Sequence, residues 1–314
     1  MADVTLIDAL TMAMAWELEH DPRVVILGED VGVNGGVFRA TAGLQARFGA
    51  DRVQDTPLAE AMIAGLSVGM AAQGMRPVAE IQFMGFIYPT VDQMISHAGR
   101  MRNRTRGRLG CPMVLRCPFG GGIHAPEHHS ESTEAIFAHM PGIRVVIPSS
   151  PALGYGLLLA AIRNPDPVVF LEPKRIYRLN RQSVEDNGKA LTLDVCYILR
   201  EGDDVTLVTW GAMTYETLKA ADQLAGEGIS CEVIDLATIS PIDYDTILES
   251  VEKTGRLVII HEAARSGGVG GEIAAIVAEK GLYDLKGPIR RVTGYYRSSS
   301  ASLTVSVILA TLGM

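Results

Sequence analysis

Short apolar strands alternate with helical segments along most of the chain, and this alternation limits the possible folds more than any other feature. Such an order is typical of a mostly parallel sheet with helices on both faces. The sequence therefore predicts an α/β protein. In the first half we predict strands at 23–28, 77–83, 112–117, 143–147 and 167–171, and helices at 5–19, 57–73, 88–102 and from Ser150-Pro151 onward.

A charged segment at residues 172–189 interrupts this alternation and contains a proline and an Asn-Gly pair. The length of 314 residues suits two domains, because a domain commonly holds ~100–200 residues. We predict two α/β domains, residues 1–185 and 190–314, with the linker in the charged segment. A second α/β series follows, with predicted strands at 204–209, 230–234, 256–261 and 288–292 and helices near 215–225, 244–252 and 272–280.

Charge and hydropathy exclude several classes of function. Lys and Arg number 28 against 36 Asp and Glu, so the formal charge of −8 gives no general attraction to nucleic acid or to anionic membranes. No apolar run approaches the ~18 residues that a membrane-spanning helix needs, and the first residues show no export signal. The four cysteines have neither disulfide-like nor metal-binding spacing. We therefore predict a cytoplasmic protein with no membrane or nucleic-acid partner.

The segment 55–60 (Asp-Thr-Pro-Leu-Ala-Glu) leads from a short predicted strand into a predicted helix. Thr56 is a candidate helix cap, Pro57 suits the first turn, and Glu60 falls on that turn. An acidic residue there interacts favourably with the helix dipole, which is the simpler interpretation of Glu60. A catalytic carboxyl group is the alternative that this pattern leaves open.

Residues 118–130 combine three glycines, two prolines and three histidines directly after a predicted strand, where open α/β sheets bind ligands. His124 and His128, with Glu127 or Glu131, form one candidate zinc site. Pro126 argues against it, because it disrupts a helical His-x-x-x-His arrangement. Solvated histidines without a role are a second interpretation, and a catalytic histidine in a glycine-shaped loop is a third.

Two other segments give weaker signals. Residues 267–272 are glycine-rich and precede a predicted helix, but Ile273 replaces the third glycine of a dinucleotide-binding motif. Five arginines alternate along residues 100–108 without the aromatic residues that single-stranded nucleic-acid binding uses. Charges at a helix C-terminus, or pairs across a subunit interface, explain the arginines better.

Nine segments in the same order resemble the β subunits of the thiamine-diphosphate-dependent 2-oxo acid dehydrogenases. The resemblance runs from about residue 5 to residue 293, after which the sequence departs from the family's usual loop and final amphipathic helix. The segments are 27–32 (Leu-Gly-Glu-Asp-Val-Gly), 35–39 (Gly-Gly-Val-Phe-Arg), 55–60, 80–83 (Glu-Ile-Gln-Phe), 120–122 (Gly-Gly-Gly), 129–130 (His-Ser), 166–173 (Asp-Pro-Val-Val-Phe-Leu-Glu-Pro), 232–236 (Glu-Val-Ile-Asp-Leu) and 253–256 (Lys-Thr-Gly-Arg).

This resemblance implies a pyrimidine-binding domain followed by a transketolase-like C-terminal domain, assembled with α subunits as an α2β2 heterotetramer. Such an enzyme decarboxylates pyruvate or a related 2-oxo acid with thiamine diphosphate and passes the acyl group to a lipoyl-bearing acyltransferase core. The cofactor is shared between the subunits, and the α subunit holds its Mg²⁺. The resemblance therefore implies that this chain is active only with an α subunit.

The resemblance also implies roles for individual residues. Glu60 matches the glutamate that hydrogen-bonds N1′ of the cofactor's aminopyrimidine, and His129 matches a histidine proposed to donate a proton during lipoyl acylation. Leu58, Gln82 and Phe86 match residues that line the pyrimidine pocket. A structural potassium ion in the family corresponds to Met113, Ala161, Ile162, Asn164 and Asp166.

Three alternatives accompany this interpretation. Residues 119–124 and Phe86 resemble pyruvate-type chains, whereas residues 172–178 resemble branched-chain 2-oxo acid dehydrogenases. Transketolases and deoxyxylulose-phosphate synthases are related enzymes, but they carry both halves of the cofactor site on one much longer chain. A non-catalytic assembly subunit is the third alternative, against which the presence of both Glu60 and His129 argues.

Overall fold

Two sheets organise the chain in the computed structural model, which describes residues 2–123 and 128–294. The strands of the first half are β1 Ala2–Val4, β2 Val24–Gly28, β3 Val53–Asp55, β4 Arg76–Glu80, β5 Val114–Phe119, β6 Arg144–Val146, β7 Val168–Pro173 and β8 Gln182–Val184. Those of the second half are β9 Tyr197–Arg200, β10 Val205–Thr209, β11 Cys231–Asp235, β12 Thr238–Ser240, β13 Leu257–Ala264 and β14 Arg290–Gly294.

The helices are α1 Leu6–His20, α2 Leu44–Phe48, α3 Glu60–Ala72, α4 Met101–Arg104, α5 Glu134–Ala138, α6 Pro151–Arg163, α7 Met213–Gly226, α8 Tyr244–Thr254 and α9 Val269–Lys280. Within residues 2–123 and 128–294, no helix combines the length and the apolar character needed to cross a membrane.

Both sheets are mostly parallel, which confirms the predicted fold class. The larger sheet has the order β12-β6-β7-β5-β4-β2-β3, and only β12 runs antiparallel to its neighbour. The smaller sheet has the order β14-β13-β10-β11-β9, with β9 antiparallel. The central strands of both sheets are buried along their whole length, as expected when helices cover both faces.

Helices α1 and α6 begin where the sequence predicted them, within one residue. Thr5 and Asp8 form a capping box at the start of α1, and the Ser150 hydroxyl accepts a hydrogen bond from Leu153 N–H at the start of α6. The two helices pack against each other, and Leu6 and Leu10 of α1 are fully buried. Capping and packing therefore act together at these two positions.

The start of α3 differs from the prediction. The helix begins at Glu60, three residues later than predicted, and the cap position is Ala59, which provides no side-chain hydrogen bond. Thr56 does not cap the helix: its hydroxyl has no hydrogen-bond partner, and its backbone N–H donates to the carbonyl of Gly28 at 2.9 Å. This tie to the end of β2 overrides the local capping signal.

The single helix predicted at 88–102 is divided into three short pieces. Tyr88–Thr90 is a 3₁₀ turn with Pro89 in it, Gln93–Ala98 is a π-helix, and α4 follows. The break at Gly99 has a packing reason, because a Cβ there would lie 3.0 Å from the carbonyl oxygen of Pro141. Glycine at 99 therefore permits the close approach of the segment around Pro141, at the point where the helical pieces are divided.

The predicted linker at 172–189 packs on the first half of the chain instead of crossing freely between domains. Strand β7 continues to Pro173, a 3₁₀ turn covers Lys174–Ile176, and β8 then pairs antiparallel with β1. The charge of Glu172 is buried with a partner, since both of its carboxylate oxygens accept hydrogen bonds from Arg116. Pairing of this kind makes burial of a charged segment possible.

Candidate active site

Loops at the carboxyl ends of β2 and β4 lie beside the start of α3. The strands are adjacent and parallel, with Gly28 opposite Glu80. Asp55 accepts a hydrogen bond from Gly32 N–H at 2.7 Å, in addition to the bond between Thr56 and Gly28. These bonds tie segment 55–60 to segment 27–32. The site thus forms where ligands bind in open α/β sheets.

The tied segments bring two carboxyl groups close together. Glu60 is the first residue of α3 and is half-buried, whereas Glu29 is buried and its Oε1 has no hydrogen-bond partner. Burial, and after it the nearby Glu60 and Asp30, raises the pKa of Glu29. Two carboxyl groups that interact electrostatically and differ in burial are a common arrangement for moving a proton. The sequence analysis placed Glu29 in a motif but missed its role as a neighbour of Glu60.

The other residues predicted for the pyrimidine pocket lie on the segments that follow β3 and β4 and differ in exposure. Leu58 is 80% exposed just before α3. Gln82 is half-buried after β4, and Phe86 is half-buried in the 3₁₀ turn Met84–Phe86. Phe86 packs edge-to-face on Phe83, with ring centroids 5.8 Å apart. The arrangement offers one amide and an aromatic wall to a flat ligand.

His129 joins the same aromatic wall. Its ring centroid lies 4.4 Å from that of Phe83 and 5.5 Å from that of Phe86. His128 is exposed, and its carbonyl accepts a hydrogen bond from Gly85 N–H at 3.0 Å. A side chain at Gly85 would collide with this backbone, because its Cβ would lie 2.4 Å from His128 Cα. Glycine at 85 therefore permits the approach that brings His129 to the site.

The zinc interpretation depends on residues of which the structure gives no account. His124 and Glu127 lie outside the described residues, as does the end of the chain from 295 onward. Among the residues that are described, no group of His, Cys, Asp or Glu has the arrangement of a metal site.

A buried ionic cluster supports the floor of the site. Arg116 of β5 donates through Nε to Glu172 Oε1 at 2.7 Å and through Nη2 to Glu172 Oε2 at 2.9 Å, and it also pairs with Glu80. The Tyr177 hydroxyl donates to Glu172 at 2.6 Å. Burial raises the pKa of Glu80, and the Arg116 guanidinium opposes that rise. Networks with every member paired hold strand ends rigidly. Sequence patterns gave no signal for this cluster.

The positions associated with potassium lie around the turn between α6 and β7, and their oxygens already accept hydrogen bonds. Arg76 Nη1 donates to the carbonyl of Ile162 at 2.7 Å and to that of Asn164 at 3.3 Å. Arg102 Nε donates to Asp166 Oδ1 at 2.7 Å. The remaining carbonyls accept from backbone N–H groups, Met113 from Val168 and Ala161 from Asn164. The guanidinium groups of Arg76 and Arg102 that occupy three of these oxygens would repel a further cation, so potassium stays a prediction to which we assign no role.

The glycine-rich segment at 267–272 has a packing explanation. Gly268 caps α9, and a Cβ at Gly270 would lie 2.7 Å from Nε2 of the buried His261. Burial lowers the pKa of His261 to about 4, so the ring is neutral and packs like an apolar group. The glycines make room for an imidazole ring, which removes the reason to expect a dinucleotide there.

The alternating arginines bind carbonyl groups at the ends of short helices. Arg100 Nε donates to Ile95 O at 3.0 Å, and Arg104 Nη2 donates to Ser96 O at 2.8 Å. Both acceptors belong to the π-helix Gln93–Ala98. The helix-terminus interpretation of the arginines is therefore confirmed for these two residues.

Family models match both halves of the chain. The transketolase pyrimidine binding domain matches residues 2–180, and the transketolase C-terminal domain matches residues 194–311. A split-gene transketolase, solved as an inactive β4 tetramer, superimposes with a TM-score of 0.77 over 99% of this chain and 98% of its own, at 23% identity. That likeness supports the fold.

Sequence relatives give a narrower assignment. The pyruvate dehydrogenase E1 component subunit beta of Bacillus subtilis (strain 168) is 50% identical over 292 residues, 93% of this chain and 90% of the relative. The subunit of the same name from Acholeplasma laidlawii is 50% identical, covering 94% of this chain and 90% of its own. The 2-oxoisovalerate dehydrogenase subunit beta of B. subtilis is 48% identical over the same shares. With the transketolase-type domains in this order, the chain belongs to the family of β subunits of the thiamine-diphosphate-dependent 2-oxo acid dehydrogenases.

Proposed function

We propose that the chain is the β subunit of a pyruvate-decarboxylating 2-oxo acid dehydrogenase and that Glu60 is its central catalytic residue. The observation that carries the proposal is the Glu60–Glu29 pair at the carboxyl ends of the strands. It combines a half-buried carboxyl group with a buried one whose pKa is raised. Membership of the family supplies the reaction that this pair would serve.

The residues around Glu60 fit an aminopyrimidine ring. Glu29 Oε1 and the Thr56 hydroxyl are buried without hydrogen-bond partners, so the site holds unused polar atoms beside Glu60. Glu60 would hold a proton at the ring nitrogen N1′, while Gln82, Phe86 and Leu58 would orient the ring. When bound, thiamine diphosphate supplies the electron sink that decarboxylation requires.

An α subunit would complete this site and cover an apolar surface next to it. Helix α3 has no charged residue after Glu60, yet Met62 and Leu66 on its outer face are 41% and 44% exposed. Leu58 and Val33 nearby are 80% and 87% exposed. Several exposed, large apolar side chains near a site are typical of a subunit interface. We propose an α2β2 enzyme in which the α subunit holds Mg²⁺ and a lipoyl-bearing acyltransferase core receives the acyl group.

Two further proposals concern the organisation and the location of the chain. We keep the domain boundaries 1–185 and 190–314, between which residues 186–189 would be the junction. We also propose a cytoplasmic location, which the four cysteines without disulfide bonds support.

Pyruvate is the substrate that we propose, and a branched-chain 2-oxo acid is the second candidate because of the 48% identical 2-oxoisovalerate relative. The test is the kcat/KM of the complex reconstituted with its α subunit, measured with pyruvate and with 3-methyl-2-oxobutanoate. We expect pyruvate to be preferred by about 10-fold or more, the scale on which pockets discriminate alkyl groups. The opposite preference would assign the branched-chain substrate, and no turnover of either would favour a non-catalytic subunit.

Replacement of His129 should separate the two halves of the reaction. We propose that His129 serves acyl transfer, so His129→Ala should lower the lipoyl-dependent rate about 10²-fold, the scale of lost acid–base assistance. Decarboxylation measured with an artificial electron acceptor should fall much less. The neighbouring, exposed His128 provides the control, and His128→Ala should leave both rates nearly unchanged. An equal loss in both assays for His129→Ala would instead assign it a structural or substrate-binding role.

A further inference from the structure

The segment that carries His129 is fixed at its base within the first half of the chain. We use the name histidine loop for two described segments, residues 120–123 and 128–132. Gly120 N–H donates to the carbonyl of Glu131 at 2.9 Å, which closes the loop. The Tyr88 hydroxyl donates to the Glu131 carboxylate and holds the closing side of the loop.

A second support comes from the other sheet. Glu262, on β13, accepts a hydrogen bond from Gly121 N–H through Oε2 at 3.3 Å. Gly120 adopts a φ of +79°, and a Cβ there would lie 2.1 Å from Glu262 Oε1. The carboxyl group therefore sits directly against the loop backbone at a position where only glycine gives it room.

Several neighbouring groups favour the ionised form of the Glu262 carboxyl group, although it is buried. Burial raises the pKa of Glu262, and the interactions with Gly121, with Lys174 and Arg175, and with the Ser132 side chain oppose that rise. Gly121 and Ser132 belong to opposite ends of the histidine loop. One carboxyl group of the second half thus interacts with both ends of the histidine loop.

Arg175 strengthens the same junction. Its Cβ would lie 2.8 Å from a Cβ at Gly122, so it packs against the next residue of the loop. Its guanidinium group pairs with Glu216 of α7, which belongs to the second half. The described residues of the histidine loop therefore contact Gly85 and Tyr88 of the first half. They also contact Glu262 of the second half and Arg175, which is paired with the second half.

We propose that Glu262 is a positioning residue that holds the histidine loop in the conformation that presents His129 to the lipoyl group. The C-terminal half of the chain would then contribute to acyl transfer, although the pyrimidine pocket lies in the first half. This inference rests on the role proposed above for His129. Glu262 acts through the loop backbone, so it is distinct from the catalytic residues.

Two variants of Glu262 test the contact in the reconstituted α2β2 enzyme. Glu262→Ala removes the acceptor for Gly121 N–H, whereas Glu262→Gln keeps an oxygen acceptor of nearly the same size. Amide hydrogen exchange of loop peptides should become about 10-fold faster in the alanine variant, which corresponds to the loss of one charge-assisted hydrogen bond. The glutamine variant should restore most of the protection. The control is Glu252→Ala, which removes an exposed carboxylate from α8 of the same sheet unit.

Kinetics then show whether the loop acts through His129. In Glu262→Ala we expect the ratio of lipoyl-dependent rate to artificial-acceptor decarboxylation to fall about 10-fold, with recovery in Glu262→Gln. In a His129→Ala background, Glu262→Ala should cause no further loss, because both substitutions affect one function.

Three outcomes would overturn the inference: unchanged exchange of the loop in Glu262→Ala, an equal fall in both assays, or additive losses in the double variant. The proposed role of His129 is judged separately. If His129→Ala alone leaves the lipoyl-dependent rate intact, that role is wrong, and exchange of the loop amides still decides whether Glu262 holds the loop.

Discussion

Glu60→Gln in the reconstituted enzyme is expected to lose decarboxylation by about 10²–10⁴-fold, the scale of lost acid–base assistance. Glutamine keeps the size of the side chain but cannot exchange a proton with the cofactor ring. The fold should survive, because Glu60 is only half-buried at the first position of α3. Its interaction with the helix dipole contributes about 1 kcal/mol or less, so the melting temperature should change by only a few degrees.

A matched variant distinguishes catalysis from the simpler dipole interpretation. Glu272 lies in the first turn of α9, as Glu60 does in α3, and its side chain is exposed. Glu272→Gln should therefore cost a similar dipole interaction while leaving turnover unchanged. Decarboxylation with an artificial acceptor and thermal melting, measured on both variants, provide the comparison. If Glu60→Gln turns over pyruvate at a near-normal rate, Glu60 has no place in the mechanism and the dipole interpretation is right.

The second large effect is complete dependence on the α subunit. We expect the purified chain to bind thiamine diphosphate and Mg²⁺ weakly and to turn over no 2-oxo acid until the α subunit is added. A diphosphate–Mg²⁺ site needs several oxygen ligands, which in this family come from a Gly-Asp-Gly and an Asn-Asn segment. The chain has five asparagines, none next to another, and its Gly202-Asp203-Asp204 triplet has no asparagine in the following ~30 residues.

Calorimetric titration and a decarboxylation assay, before and after addition of the α subunit, measure this dependence. Leu66→Glu should prevent the recovery, because it places a charge on the exposed apolar face of α3 where we expect the α subunit. Tyr283→Glu is the control, since Tyr283 is 100% exposed in the 3₁₀ turn Leu282–Asp284 of the second half. Tight Mg²⁺-dependent cofactor binding with turnover by the chain alone would contradict the shared site.

Elements with strong local signals were predictable from the sequence. The capping box of Thr5 and Asp8 and the Ser150-Pro151 start of α6 agree with the structure because cap and packing favour the same conformation. The buried strands β2, β5, β10 and β11 were also predictable, since continuous apolar runs between turns are typical of parallel sheets. The position of Glu60 at the start of a helix followed from the same kind of local pattern.

Features that depend on distant residues were not predictable in this way. Glu29 matters because bonds between segments 27–32 and 55–60 bring it to Glu60, and no spacing along the chain indicates that. Thr56 has the residue type of a cap, yet the bond from its N–H to the Gly28 carbonyl ties it to the end of β2, four residues before α3 begins. Glu172 was assigned to a linker because its partner, Arg116, lies 56 positions earlier in the sequence.

Strand β12 gives the two halves of the chain a shared edge. It belongs by sequence to the second half, but it pairs with β6 at the end of the larger sheet, with Thr238 opposite Val146. A fragment that ends near residue 185 would leave the backbone groups of β6 uncovered, and an open edge of this kind readily recruits a strand from another molecule. The C-terminal half therefore protects the half that contains Glu60 from edge-to-edge aggregation. Expression of residues 1–185 alone should give a protein that aggregates through the exposed edge of β6.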